Sequence, residues 1–417
     1  MTDPLLLFSK VTCEEIFSYL SVKELLNCSL LNKSYYDFIA KTPSFMKRIK
    51  IRLHIHHNLV LEDYKLLKIL NESTRRYQRF ESINLTIDFF NAYIKLPNLK
   101  SIKIRGIGLL SECELVPFNT GINVNIEELI LERFNGNLLL KVNSHRLSCH
   151  NFPTLRRLEL HYVPPFIFRY YSDCSNLTEL KVTGKRDEHF YNLLRLNTQL
   201  KKLTIVTDAI DNYFDEDLTK FIQFKLTYFE ARDIYNLTVN CIENFKLFIQ
   251  KQMNTLEEIN LGDWIAANIV RMIFHMPRLK KLTFKGFHNV EEHVRMNEMD
   301  FHRSQTITTL HLIDTFSRAD ILHAFTVACP KVIHLKLYAL QKDALLYLTQ
   351  TIPNLQTLSV DLLEIKEFSN DCDFAHLKDF KMKVYNRDLQ FSEAINNNFE
   401  NLVKKEIERI ENMNNAQ

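Results

Sequence analysis

The sequence predicts an α/β solenoid preceded by a short all-α domain of three helices. Three observations carry that prediction. A phrase of the form L-x-x-L-x-L, with other apolar residues allowed at the anchors, recurs thirteen times between residues 80 and 382. Two helix-start signals and a dense set of apolar residues crowd into residues 12–39. Apolar residues make up 46% of the 417 and charged residues 25%, the balance of a globular chain rather than a disordered one.

The helical part comes first, over residues 1–45. Thr12 with Glu15 forms an S/T-x-x-E capping box, and Ser21 with Glu24 forms another, so helices are expected to begin at both points. The first brings Ile16, Phe17 and Leu20, and the second Leu25, Leu26, Leu30 and Leu31. A third segment, 32–43, supplies Tyr35, Phe38 and Ile39 and stops at Pro43. Three short helices in about 40 residues are too small to fold alone. They need a neighbour, either the first repeat or another protein.

The array follows, over residues 46–395. "FMKRIKIRLHIHH" (45–57) reads as a leading strand, with Ile49, Ile51, Leu53 and Ile55 alternating against charged residues and His54. The copies then run from "FESINL" at 80 through "LRRLEL" at 155 and "LEEINL" at 256 to "LKDFKM" at 377, their starts 19 to 30 residues apart. In each copy the second and third anchors sit two apart and point to one side of a strand. No copy can bury that side alone, so the copies stack. Between them, residues 266–278 and 342–354 carry helical patterns that end near a proline. The period is similar to that of leucine-rich repeats. Such an array curves, with its strands on the concave side. In 396–417, Phe399, Leu402, Val403, Ile407 and Ile410 recur at helical spacing, so an amphipathic capping helix is expected there.

"IFSYLSVKELLNCSLLNKSYYDFI" (16–39) resembles the F-box. Phe8-Ser9 stand where that motif usually has Leu-Pro, and Tyr35 where it has Trp. The resemblance implies a non-catalytic substrate receptor. Its F-box would grip the adaptor subunit of an SCF-type cullin–RING ubiquitin ligase, and its repeats would hold a target protein for ubiquitination. Carried over residue by residue, the adaptor-facing or interface-shaping set is Phe8, Ser9, Ile16, Phe17, Leu20, Leu25, Leu26 and Leu30. The other reading is a leucine-rich scaffold whose first helices merely cap the solenoid. The implied location is cytoplasmic or nuclear.

The outward strand positions carry eleven basic and eight acidic residues with the signs interspersed, which suits a mixed-charge protein partner better than a phosphate backbone. Lys103, Arg105, Arg157, Arg232, Lys281 and Lys285 are target-binding candidates, and Tyr228 and Tyr338 are aromatic anchors. Net charge is only +3, so no nucleic-acid partner is expected. No run approaches the roughly 20 apolar residues of a membrane helix, no leader is apparent, and no homo-oligomer is expected.

Eight scattered cysteines without a C-x-x-C pair read as apolar residues in a reducing compartment. Only 7 glycines occur, and Gly106-Ile107-Gly108 lacks the third glycine of a dinucleotide loop. His288 and His293 are spaced to opposite parts of a helix, and "HIHH" (54–57) has no carboxylate or cysteine beside it, so neither reads as a metal site. Cys149 and His150 adjoin in sequence without a feature to stabilise an oxyanion. No catalytic residue, metal or cofactor is expected.

Overall fold

The computed structural model describes residues 8–54, 76–83, 98–105, 125–133, 153–163, 165–184, 187–206, 219, 222–232, 239–262, 267–285, 302–313, 319–340, 347–348, 352, 354–363, 379–384 and 408–409. They fall into two compact units, residues 1–200 and 201–417.

The first unit opens with four helices: α1 (Lys10–Ser18), α2 (Val22–Cys28), α3 (Lys33–Lys41) and α4 (Pro43–Arg48). Helix α1 starts earlier than Thr12 and Glu15 indicate. Ser9 is its N-cap, its hydroxyl accepting from the Thr12 N–H at 3.1 Å, so Thr12 lies inside the first turn. The capping box at Ser21 and Glu24 forms as expected, each side chain bonding the other's backbone N–H.

The fourth helix is a correction to the three expected. Pro43 does not merely end α3. It occupies the first turn of α4, where the missing N–H costs nothing because that donor has no intrahelical partner. Residues 45–48, expected as strand, are therefore helical, and the leading strand β1 begins at Lys50.

Phe17, Leu25, Ile39, Phe45, Met46 and Ile49 form the core of the helical cluster. The Phe17 ring lies 5.5 Å from Phe38 and 5.8 Å from Tyr35, so the tyrosine standing at the usual tryptophan position is a packing residue. Tyr77, at the head of the next repeat, packs on the same cluster.

Six parallel strands follow in this unit among the described residues: β1 (Lys50–His54), β2 (Arg79–Ile83), β3 (Ser101–Arg105), β4 (Glu128–Glu132), β5 (Arg157–His161) and β6 (Glu179–Thr183). The second unit holds β7 (Lys202–Val206), β8 (Tyr228–Arg232), β9 (Glu258–Gly262), β10 (Lys281–Lys285), β11 (Thr309–Ile313), β12 (His334–Leu340), β13 (Thr357–Leu363), β14 (Asp379–Val384) and the two-residue β15 (Glu408–Arg409), with each strand from β8 onward parallel to the one before. All thirteen phrases thus have a strand. Crossover helices include Glu188–Leu196 in the first unit, and Val239–Gln252, Ala267–Phe274 and Ala319–Ala328 in the second.

A recurring backbone device sets the register. One carbonyl just ahead of a strand accepts two N–H groups from the following repeat. Lys100 takes Glu127 and Glu128, Glu127 takes Arg156 and Arg157, Thr227 takes Glu257 and Glu258, and Ile333 takes Gln356 and Thr357, all at 2.8–3.1 Å. Gln78 does the same for Lys100 and Ser101.

That pin corrects the phase of the first copy. Phe80 pairs with Ile102, not with Leu99, so the repeat starts at Tyr77 and Ser82 stands opposite Ile104. The 19-residue interval becomes one of 22, counting from Tyr77 to Leu99.

Amides at the crossover ends close the turns. Asn197 is buried, accepting from the Leu177 N–H at 2.7 Å and donating to the Cys174 carbonyl at 2.7 Å. Gln252 accepts from the Leu226 N–H at 2.9 Å and donates to the Phe224 carbonyl at 3.2 Å. Of the expected helix 342–354, residues 347 and 348 are helical and most of the rest lies outside the described residues. In 396–417 only Glu408–Arg409 is described, and it is extended rather than helical.

Candidate functional site

Two surfaces carry the candidate functional side chains. The first is on the opening helices. At 100° per residue, Val11, Glu15, Tyr19, Thr12 and Ile16 fall within about 140° of one another on α1 and its C-cap, opposite the inward-facing Cys13, Phe17 and Leu20. The apolar members of that stripe are exposed: Val11 by 75%, Ile16 by 47% and Tyr19 by 83%. At the end of α2, Leu30 and Leu31 are exposed as well, and Phe8 stands half-exposed ahead of α1. A domain this small has little apolar area to spare, so six large apolar side chains left in water make this the candidate contact surface.

The structure sorts the eight residues carried over from the F-box resemblance. Phe8, Ile16 and Leu30 are exposed, and Leu20 and Leu26 are partly buried. Phe17 and Leu25 are core residues, so they shape the surface from beneath and do not lie on it. Ser9 acts through its N-cap bond. Val11, Tyr19 and Leu31 were absent from that set. The alternation of exposed and buried positions along α1 is the signal that finds Val11 and Tyr19.

The surface is braced from outside α1. A helix leaves its last carbonyls without partners. Arg48, at the end of α4, donates to the Ser18 carbonyl at 3.1 Å and to the Leu20 carbonyl.

The second surface is the open face of the strands, where Lys103, Arg105, Arg157, Tyr228, Arg232, Lys281, Lys285 and Tyr338 all stand at outward register positions. Most of the cations are already engaged. In the first unit Lys103 and Arg105 both reach Glu132, at 2.7 and 3.1 Å. Arg157 sits among Glu128 at 3.2 Å, Glu159 at 2.9 Å and Glu179 at 3.6 Å. His161 bridges onward, with Nε2 3.0 Å from Glu159 and Nδ1 3.0 Å from the Thr183 hydroxyl. Burial raises the Glu159 pKa, but the His161 and Arg157 hydrogen bonds outweigh it and hold the carboxyl at about 2.

In the second unit Glu230 is the hub. It accepts from the Tyr228 hydroxyl at 2.7 Å, from Thr204 at 3.2 Å and from Asn260 at 3.0 Å, and it pairs with Arg232. Tyr228 is thus committed to Glu230 and is not the free anchor expected, and burial with that carboxylate pushes its pKa up. Gly262 leaves room for the Arg232 side chain, since a Cβ there would come within 3.2 Å of the Arg232 Cα. Lys281 pairs with Glu258 at 2.5 Å. Tyr338 remains exposed by 38%.

Among the described residues no group of three or more His, Cys, Asp or Glu is placed to hold a metal ion, and no helix is long and apolar enough to cross a membrane. The histidines at 288 and 293 and the Cys149–His150 pair lie outside the described residues.

Comparison with known proteins identifies the helical part. Residues 9–47 match the F-box domain family, and these helices are an F-box domain. No curated protein sequence matches the chain. Among solved structures it is similar to one titled "Crystal structure of Rad7 and Elc1 complex in yeast", with a TM-score of 0.45 and 12% identity over 86% of this chain and 94% of that one.

Proposed function

We propose that this chain is the substrate-recognition subunit of an SCF-type cullin–RING ubiquitin ligase, with no active site of its own. F-box domains bind Skp1-type adaptors, and the observation that carries the reading is the exposed apolar stripe Val11–Ile16–Tyr19 on a matched F-box domain, with Leu30 and Leu31 also in water. In this reading the adaptor covers those side chains and links the chain to the cullin, and the open faces of the strand units receive the target protein. A scaffold whose helices serve only as a cap needs those side chains packed on the first repeat. Tyr77 does join the helical core, but on its buried side.

The test is a mixture of the purified full chain with a Skp1-type adaptor, followed by size-exclusion chromatography with light scattering. A stable one-to-one complex is expected. Tyr19→Asp and Leu30→Asp, both at exposed positions, should abolish it while leaving the circular dichroism spectrum unchanged. A folded wild-type chain that stays free of adaptor defeats the reading.

A further inference from the structure

We propose that the open face of β10–β12 docks an acidic, extended segment of the target protein. The proposal rests on the receptor reading for the origin of that segment. The nine outward positions of these strands hold three lysines, two histidines and no acidic residue. The register places Lys281 beside Thr309 and His334, and Thr283 beside His311 and Lys336, with Lys285 beside Ile313. The nine equivalent positions of β3–β5 hold three basic residues, one histidine and three acidic residues, whereas the carboxylate that Lys281 reaches, Glu258, lies outside the nine on β9. The two faces share one scaffold and differ in charge.

His311 feels the difference. Burial comes first, and the positive charges of Lys281, Lys336 and His334 add to it, so its pKa is pushed down to about 4. The positive part of that effect comes from side chains on all three strands, and their combined charge favours carboxylates at this face. Tyr338, exposed on β12, adds an aromatic surface for the segment's apolar part.

A nucleic acid fits less well. Three strands span only about 10 Å between the outer two, and acidic residues, Glu258 and Asp361, stand on the strands to either side. A phosphate backbone needs a longer track of one sign.

The experiment titrates a fluorescein-labelled octa-glutamate peptide with the full chain at low salt, without adaptor, and reads anisotropy. Binding is expected. It should weaken about tenfold in the Lys285→Glu/Lys336→Glu double variant and stay unchanged in Lys23→Glu, an equal kind of charge reversal on α2. In parallel, the His311 ring resonance followed by NMR should titrate at higher pH with peptide bound. The proposal is overturned if octa-lysine binds as well, if the folded double variant binds like wild type, or if wild type does not bind. Tighter binding of an eight-nucleotide RNA would reassign the patch to nucleic acid. Adaptor binding without peptide binding sinks this proposal alone, and peptide binding without adaptor binding sinks the receptor reading alone.

Discussion

Arg48 holds the end of α1 from a distance of 28 residues, its guanidinium donating to the Leu20 carbonyl and, at 3.1 Å, to that of Ser18. The bonds fix where α1 stops and hence how its exposed stripe is aimed. Arg48→Ala should destabilise the helical domain by about 1–2 kcal/mol. It should also weaken adaptor binding although no adaptor contact is removed. Urea denaturation followed by the near-ultraviolet signal of the helical tyrosines, together with adaptor affinity, checks both. A variant with wild-type stability rules out the brace.

Leu25 and Leu30 lie five positions apart and should fail in different ways. Leu25 is fully buried, so Leu25→Ala should cost about 2–5 kcal/mol by opening a cavity in the core of the helical domain. Leu30→Ala, with its side chain 80% exposed, should leave the melting temperature of the domain within error and reduce adaptor affinity only. Equal melting temperatures for the two variants would contradict the core assignment.

Asn197 is a structural amide. In Asn197→Ala the Leu177 N–H and the Cys174 carbonyl lose their partner inside the protein. A buried group left unsatisfied costs on the order of 1–3 kcal/mol, so a loss near the upper end is expected for the first unit. Gln252→Ala should do the same to the second through Leu226 and Phe224. Hydrogen exchange at Leu177 and Leu226 reports each loss locally, and unchanged protection at both amides counts against the role.

The Glu159 carboxyl makes stability depend on acid. Its folded pKa, about 2, lies below the ordinary 4.5. As pH falls, the unfolded chain therefore takes up this proton first. The contribution is complete above 4.5 and is lost as pH drops from there toward 2. Glu159→Gln should flatten that part of the curve of urea midpoint against pH. A slope equal to that of wild type means that the Arg157 and His161 contacts do not form.

Most of the array was legible because apolar anchors at fixed spacing have one way to be buried together, and register follows from it. The first copy was misread by three residues because Ser82 takes an anchor position where an apolar residue stands in the other copies, while the sequence offers Ile83 next door. Helix α4 was missed because proline signals both the end of one helix and the first turn of another, and only the position of Phe45 and Met46 in the core decides between them. The F-box helices could be located from their caps and apolar spacing. Which apolar residues face water could not, since that depends on how α1, α2 and α3 pack around Phe17. On the open face, sequence identified the cations but not their partners, because many of those lie 22 to 29 residues away on neighbouring strands, as in Arg157 with Glu179 or Lys103 with Glu132.

The doubly accepting carbonyls ahead of the strands have a consequence for how such a chain can change. Each ties a repeat to its predecessor at the strand's first residues, whatever number of residues the intervening crossover contains. Alignment is renewed at each step so tied, and errors do not accumulate across it. A segment inserted into a crossover should bulge outward and leave all downstream neighbours in place, so the back of the array is open to elaboration while the open face keeps its spacing. The molecule counts strands, not residues.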